Sequence, residues 1–311
     1  MSHLLEVIDL EVKFGLRIGD LTAINGISFS LDRSGRIGLV GESGAGKSVT
    51  GFAIINLISK PGFISAGRVV FNGRDLTTLS AEQMRDIRGN HISMIFQDPM
   101  MTLNPVLTIG TQMVETLQAH RNITRHEAHL IALEKLKQVQ IPSPEKRLAQ
   151  YPHEFSGGMR QRIVIAIALL TDPELIIADE PTTALDVTIQ AEIMDLLRQL
   201  CEAEQTGLIL ITHDLGVVSQ VTEQIAVMYA GKIVETGPTA LVVDSPKHPY
   251  TQGLIQALPG SLHPGTRLNQ IPGMMPTLTN IPPGCAFNPR CPLSAAICRQ
   301  HEPPLVTANG A

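Results

Sequence analysis

Gly41-Glu-Ser-Gly-Ala-Gly-Lys-Ser48 fits the pattern G-x-x-x-x-G-K-[ST] in full. Glycines at that spacing let successive backbone N–H groups converge on phosphate oxygens, and a helix opening at the end of the loop adds its positive dipole end. Gly41, Glu42, Ser43, Gly44, Ala45, Gly46 and Val49 therefore form or flank a candidate phosphate cradle. Lys47 is placed to neutralise charge on β and γ phosphates, and Ser48 to ligate Mg2+. A second candidate ends a buried run. Leu175-Ile-Ile-Ala-Asp-Glu180 closes on two adjacent carboxylates that strand alternation points differently. Asp179 suits Mg2+, usually through water, and Glu180 suits alignment and activation of an attacking water. A third lies at Phe155-Ser-Gly-Gly-Met-Arg-Gln-Arg162, where Ser156 reads as an N-cap and Gly157 and Gly158 permit close backbone approach. Set on a helical insertion, this anion site could not reach phosphate bound by the chain's own loop. A partner chain would have to supply the nucleotide.

These groups need rigid elements to hold them. Arg36-Ile-Gly-Leu-Val40 reads as a buried strand entering the loop, and Phe52, Ile54, Ile55 and Leu57 as the helix behind it. Leu10, Val12 and Phe14 alternate with Glu11 and Lys13, the pattern of a half-buried strand. Further strands are expected at 91–96, 174–178 and 207–212, with a helix at Val187–Glu204 between the last two. Strands alternating with helices imply a parallel sheet covered on both faces. Residues from about 100 to 155 hold helical runs (108–119, 126–139) and no convincing strand. Beyond about 240 prolines multiply (Pro246, Pro249, Pro259, Pro264, Pro272, Pro276, Pro282, Pro283), which predicts an extension with little regular structure.

Composition narrows the class. Lys and Arg total 24 against 29 Asp and Glu in 311 residues, a net charge of −5 that argues against a nucleic-acid binder with a broad basic surface. The longest apolar stretch, Ile163–Leu170, is far short of the ~20 residues that cross a bilayer, and no leader precedes Leu4. The expectation is a soluble, intracellular protein. Aromatic residues are 4% and Trp is absent, so the core must rely on aliphatic side chains and Met.

Taken in order, the loop at 41–48, Ser156-Gly-Gly158 and Leu175–Glu180 resemble the ATPase subunit of an ABC transporter. On that resemblance Gln97 corresponds to the glutamine that helps hold Mg2+ and sense the γ phosphate, and Ala184-Leu-Asp186 to the loop facing the partner cassette. His213 corresponds to the switch histidine, and Phe14 to the aromatic that stacks on adenine. The family's usual Leu-Ser-Gly-Gly-Gln is Phe-Ser-Gly-Gly-Met here, a form resembling one ATPase type of the oligopeptide/dipeptide (peptide/nickel) importers. Pro246-Lys-His-Pro-Tyr-Thr-Gln-Gly-Leu-Ile255 resembles that subfamily's tail.

The resemblance implies an α/β fold: a RecA-like P-loop NTPase core with a mainly parallel sheet, an antiparallel β subdomain, a helical insertion and a Pro/Cys-rich extension. The expected domains are an ATP-binding core at 1–98 and 160–240, a helical subdomain at 99–159 and the extension at 241–311. It further implies ATP and Mg2+ as ligands and a second ATPase subunit, identical or not, facing this one head to tail. Two integral membrane permease subunits and, indirectly, an extracytoplasmic solute-binding protein complete the assembly at the cytoplasmic face of the inner membrane. Import of peptides, or of nickel or another solute, is the implied task.

Rival readings fare worse. A DNA-repair ATPase of this fold would insert a long coiled coil, and no long heptad run appears. A GTPase would carry Asn-Lys-x-Asp, which is missing, and a translation-factor ATPase would carry two cassettes.

The four cysteines are Cys201, Cys285, Cys291 and Cys298. The last three, spaced C-x5-C-x6-C, could hold a [4Fe–4S] cluster as in similar importer ATPases, but four ligands are normally needed and the chain ends without the family's fourth. Cys201 is a doubtful substitute. His301 could instead complete a Cys3His zinc site, and three free thiols in a loop remain the third alternative.

Overall fold

The alternation at the N-terminus becomes strand β1 (Leu5–Leu16), which buries Leu5, Val7, Leu10 and Val12. The structure, a computed structural model, describes residues 3–183, 185–257 and 270–307; Ala184, Pro259 and Pro264 fall outside them. The remaining strands in chain order are β2 (Gly19–Leu31), β3 (Arg36–Val40), β4 (Gly62–Phe71), β5 (Arg74–Asp75), β6 (Ile92–Ile95), β7 (Leu175–Asp179), β8 (Gly207–Thr212), β9 (Gln224–Tyr229) and β10 (Lys232–Pro238). Two compact units result. The first gathers the described residues of Met1–Asp32, Arg36–Thr78 and Leu210–Ala311, and the second those of Arg33–Gly35 and Leu79–Ile209.

In the first unit an antiparallel sheet runs in the order β2-β1-β4-β5. A second set of strands runs β10-β9-β3-β8, with β3 parallel to β9 from Ile37↔Gln224 to Val40↔Val227. The parallel arrangement expected from strand–helix alternation stops at β9. Ala230 and Gly231 turn the chain with φ of 47° and 81°, the left-handed pair that closes a tight hairpin, so β10 joins antiparallel.

The Pro-rich extension departs from expectation at its start, where Pro249–Gln256 is a helix. Pro249 occupies its first turn, where a missing N–H costs nothing, and His248 Nδ1 caps it by accepting the Tyr250 N–H at 3.1 Å. Tyr250 is fully buried, packed edge-on against Tyr229 (4.7 Å between centroids) and Phe287 (5.4 Å). Among the described residues of 270–307 the regular structure is one 3-10 turn, Ala296–Arg299.

The second unit orders its strands β8-β7-β6, with β6 parallel to β7 from Ile92↔Leu175 to Ile95↔Ala178. Its longer helices begin at side-chain caps: Thr108 for Ile109–His120, Thr124 with Glu127 in a capping box for Arg125–Gln138, Ser156 for Gly157–Ala168 and Asp186 for Val187–Glu204. Each cap satisfies N–H groups that the helix leaves without a partner. The helix read at 187–204 has those limits. Ile193, Leu196, Leu197 and Leu200 on its stripe are buried, whereas Ile189 is half-buried. No helix among the described residues is long and apolar enough to cross a membrane.

Candidate nucleotide site

The phosphate-loop residues belong to the first unit, where β3 buries Ile37, Gly38, Leu39 and Val40 and delivers the chain into the loop. Gly46 has φ 105°, and a Cβ there would lie 2.6 Å from Ile24 Cδ1 and 3.1 Å from the Ala23 carbonyl, so a side chain is excluded twice over. Gly44 has φ 84°, but a Cβ there would meet nothing within 4 Å: the loop is open on that side, as a cradle for an outside group requires. Helix Lys47–Ile54 starts at Gly46 with no side-chain cap, unlike the helices that Ser, Thr or Asp open elsewhere in this chain. Lys47 is 5% exposed, and its Nζ donates to the Gly41 carbonyl at 2.8 Å and the Glu42 carbonyl at 3.1 Å. The ammonium is thereby held across the loop mouth. A glycine-rich turn at a helix N-terminus beside a fixed cation fits a polyphosphate.

Phe14 lies in β1 opposite Gly62 of β4 and is half-buried; a Cβ on Gly62 would come within 2.8 Å of its ring. Ser48 is half-buried on the first turn of the helix. His213 follows β8 and is exposed, just before Asp214, whose side chain caps helix Leu215–Val221.

The remaining candidates belong to the second unit. Asp179 ends β7 with 3% exposure, whereas Glu180 is half-buried, so the adjacent carboxylates do sit in different surroundings. Glu180 adopts φ 45°, a left-handed conformation that costs a non-glycine residue of order 1 kcal/mol. Its Oε2 accepts from Thr183 Oγ1 at 2.9 Å and from Gln97 Nε2 at 3.2 Å, which brings together two residues 83 positions apart. Ser156 Oγ accepts the Met159 N–H at 3.4 Å, and Ser156 and Gly157 are exposed. Gly158 has a packing reason of its own, since a Cβ would fall 2.8 Å from Ile189 Cγ2. Asp186 is exposed and accepts the Ile189 N–H at 3.0 Å. Ser48, Gln97 and Asp179 offer only oxygen donors of the kind hard Mg2+ takes.

The structure gives the tail thiols no support as a metal site among the described residues. Cys285, Cys291 and Cys298 are half-buried free thiols, and Cys285 N–H donates to the Cys298 carbonyl at 2.8 Å. Burial first, then the neighbouring Cys291 and Cys298, push the Cys285 thiol above its ordinary range. Among the described residues no group of three or more His, Cys, Asp or Glu side chains is assembled to hold a metal. His301 is exposed, and Cys201 is buried in helix Val187–Glu204. Neither the cluster nor the zinc alternative is supported by the arrangement of the described residues.

Two residues at the loop escaped the sequence reading. The Tyr250 hydroxyl accepts the Glu42 backbone N–H at 2.8 Å, and Arg290 grips the Glu42 carboxylate. Tyr250 sits in the Pro246–Ile255 run quoted above. Arg290 precedes Cys291, and no spacing connects it to a residue 248 positions away.

Residues 24–183 match the ABC transporter family, and residues 234–298 match the oligopeptide/dipeptide transporter C-terminal region. The oligopeptide transport ATP-binding protein OppD of Bacillus subtilis (strain 168) is 50% identical over 98% of this chain and 86% of its own length. A Brucella melitensis biotype 1 protein whose name specifies peptide import and ATP binding is 47% identical over 98% of this chain and 94% of its own. Among solved structures, the dimeric post-hydrolysis state of the ATP-binding cassette MJ0796 bound to ADP and Pi matches with a TM-score of 0.68 and 25% identity, over 76% of this chain and 98% of that one. CbiO1 of Clostridium perfringens, part of the ABC transporter complex cbiONQ, matches with a TM-score of 0.67 and 25% identity, over 79% and 92%.

The chain belongs to the ABC transporter family and is an ATPase with that family's cassette fold. Within the family it is a member that carries the oligopeptide/dipeptide-type C-terminal region.

Proposed function

We propose that this chain is the ATP-hydrolysing subunit of a peptide importer. The observation that carries the reading is the pairing of one complete cassette with the oligopeptide/dipeptide C-terminal region, in a chain half identical to OppD over nearly its whole length. Relatives named for peptide transport favour peptides over nickel as cargo. The working boundaries are those of the sequence: an ATP-binding core at 1–98 and 160–240, a helical subdomain at 99–159 and the extension at 241–311.

On this reading the N–H groups of 44–48 receive the phosphates and Lys47 turns from the Gly41 and Glu42 carbonyls to the β and γ oxygens. Phe14 stacks on the base. Mg2+, when bound by Ser48, Asp179 and Gln97, neutralises charge between β and γ phosphates. Glu180 orients and deprotonates the attacking water, with Gln97 already bonded to it and His213 sensing the γ phosphate. Ser156, Gly157 and Gly158 meet the triphosphate of a second ATPase subunit, identical or not, and Asp186 faces that subunit. The exposure of Ser156 and Gly157 supports this, since an internal cap needs none. ATP closure and hydrolytic reopening drive two permease subunits, fed by a solute-binding protein, with this chain peripheral at the cytoplasmic face of the inner membrane. Neither a cluster, zinc nor nucleic acid enters the reading.

The test is affinity capture of the tagged chain from membranes, followed by uptake competition among dipeptides, longer oligopeptides and nickel. Co-purifying permease subunits, and uptake blocked by peptides alone, are the expected result. Capture with no membrane protein, or competition by nickel alone, overturns it.

A further inference from the structure

The second residue of the phosphate loop is gripped from outside by the C-terminal extension. Glu42 is half-buried. Its backbone N–H donates to the Tyr250 hydroxyl at 2.8 Å. Its carboxylate takes both arms of the Arg290 fork, Oε2 from Nη1 at 2.6 Å and Oε1 from Nη2 at 2.9 Å. From inside the loop, the Glu42 carbonyl accepts the Lys47 ammonium at 3.1 Å and the Ala45 N–H at 3.2 Å.

Arg290 is itself immobilised. It is 7% exposed, its Nε donates to the Pro272 carbonyl at 2.8 Å and its Nη1 to the Tyr229 hydroxyl at 3.4 Å. The guanidinium carbon lies 5.8 Å from the Tyr229 ring centroid. Tyr229, Tyr250 and Phe287 form the aromatic floor beneath it. A bidentate pair with one partner locked this way differs from a rim salt bridge between two mobile chains, which contributes little.

The electrostatics give the pair a purpose. Glu42 is the second residue of the phosphate loop, and its carboxylate, left unpaired, would repel an incoming triphosphate. The Lys47 ammonium lies on the loop carbonyls, and Arg290 is the cation bonded to the carboxylate.

We propose that Arg290 is a positioning residue of the nucleotide site: through Glu42 it holds the first turn of the phosphate loop and cancels the negative charge that an incoming triphosphate would otherwise meet. The inference rests on the reading of 41–48 as a phosphate cradle. It makes the tail part of the ATP site.

The test uses the full chain and the equilibrium affinity of a fluorescent ATP analogue, with thermal melting alongside. Arg290→Met should weaken binding about tenfold, a loss corresponding to ~1.4 kcal/mol. Adding Glu42→Gln to that variant should restore affinity to within about twofold, because the exposed charge is gone. A merely structural role predicts the reverse, since the double variant has lost more native contact. Arg290→Lys keeps the charge and loses the fork, and should bind about threefold more weakly. Should Arg290→Met fail to fold, Arg290→Lys with and without Glu42→Gln carries the same comparison. Parental affinity in the Arg290 variants, or a double variant as weak as the single, overturns the proposal. Lys47→Ala separates the premise: it should abolish binding, and if it binds normally the cradle reading itself falls, whatever Arg290 does.

Discussion

Glu180→Gln offers a test in which fold and chemistry come apart. The Glu180 carboxylate takes two hydrogen bonds on one oxygen, from Thr183 at 2.9 Å and from Gln97 at 3.2 Å. A glutamine carbonyl can accept both, and the backbone at φ 45° suits glutamine no worse than glutamate. Stability should therefore stay within about 0.5 kcal/mol of the parent. What disappears is the negative charge and the base. A positioned general base contributes about 10²–10⁴-fold to a rate, which at 1.36 kcal/mol per decade is roughly 3–5 kcal/mol of barrier. Nucleotide affinity should hold within about twofold, because the phosphate loop is untouched. The assay is phosphate release at saturating ATP in the assembled transporter, with analogue binding and melting measured on the same preparation. Turnover falling less than tenfold at an unchanged melting temperature would refute the role given to Glu180. A fall matched by loss of folded protein would refute the claim that glutamine satisfies the same bonds.

Further outcomes follow from packing and capping. Phe287, 2% exposed and with its ring centroid 5.2 Å from Tyr229 and 5.4 Å from Tyr250, anchors the tail to the rest of the first unit. Phe287→Ala should cost about 3–5 kcal/mol in a denaturant melt, and a loss below about 1 kcal/mol would mean that the ring is not an anchor. Ser156→Ala removes an exposed N-cap whose hydrogen bond is 3.4 Å long, so its stability cost should be about 1 kcal/mol or less. ATPase activity of the assembled pair should nonetheless fall well beyond that loss, and activity tracking stability alone would remove Ser156 from the partner's site. Burial pushes the His248 imidazole below its ordinary value of 6.5, with Glu235 opposing. The unfolded chain then binds the extra proton, so this contribution to stability is complete above about pH 6.5 and is lost as pH falls below it. His248→Asn keeps a good N-cap and cannot titrate, so the slope of melting temperature between about pH 6.5 and 5 should flatten, and an unchanged slope would place the acid sensitivity elsewhere.

Much of this chain is written locally. The phosphate loop is legible because its glycines, Lys47 and Ser48 act through backbone within eight consecutive residues. Helix Val187–Glu204 is legible because its apolar positions repeat at helical spacing. The buried run before Asp179 and Glu180 declares a strand end by itself. What alternation could not show is who pairs with whom. The antiparallel attachment of β10, the bond from Gln97 to Glu180, the closeness of Gly158 to Ile189 and the helix opening at Pro249 all depend on pairing and burial between distant segments. The grip of Arg290 on Glu42 is the extreme case. Residue type and spacing encode φ/ψ preference, capping and which face seeks burial, and these suffice for a loop or a helix. Only the packed tertiary structure decides which charge ends up beside which, because an ion pair across 248 positions exists only once the aromatic residues of the tail have found their place.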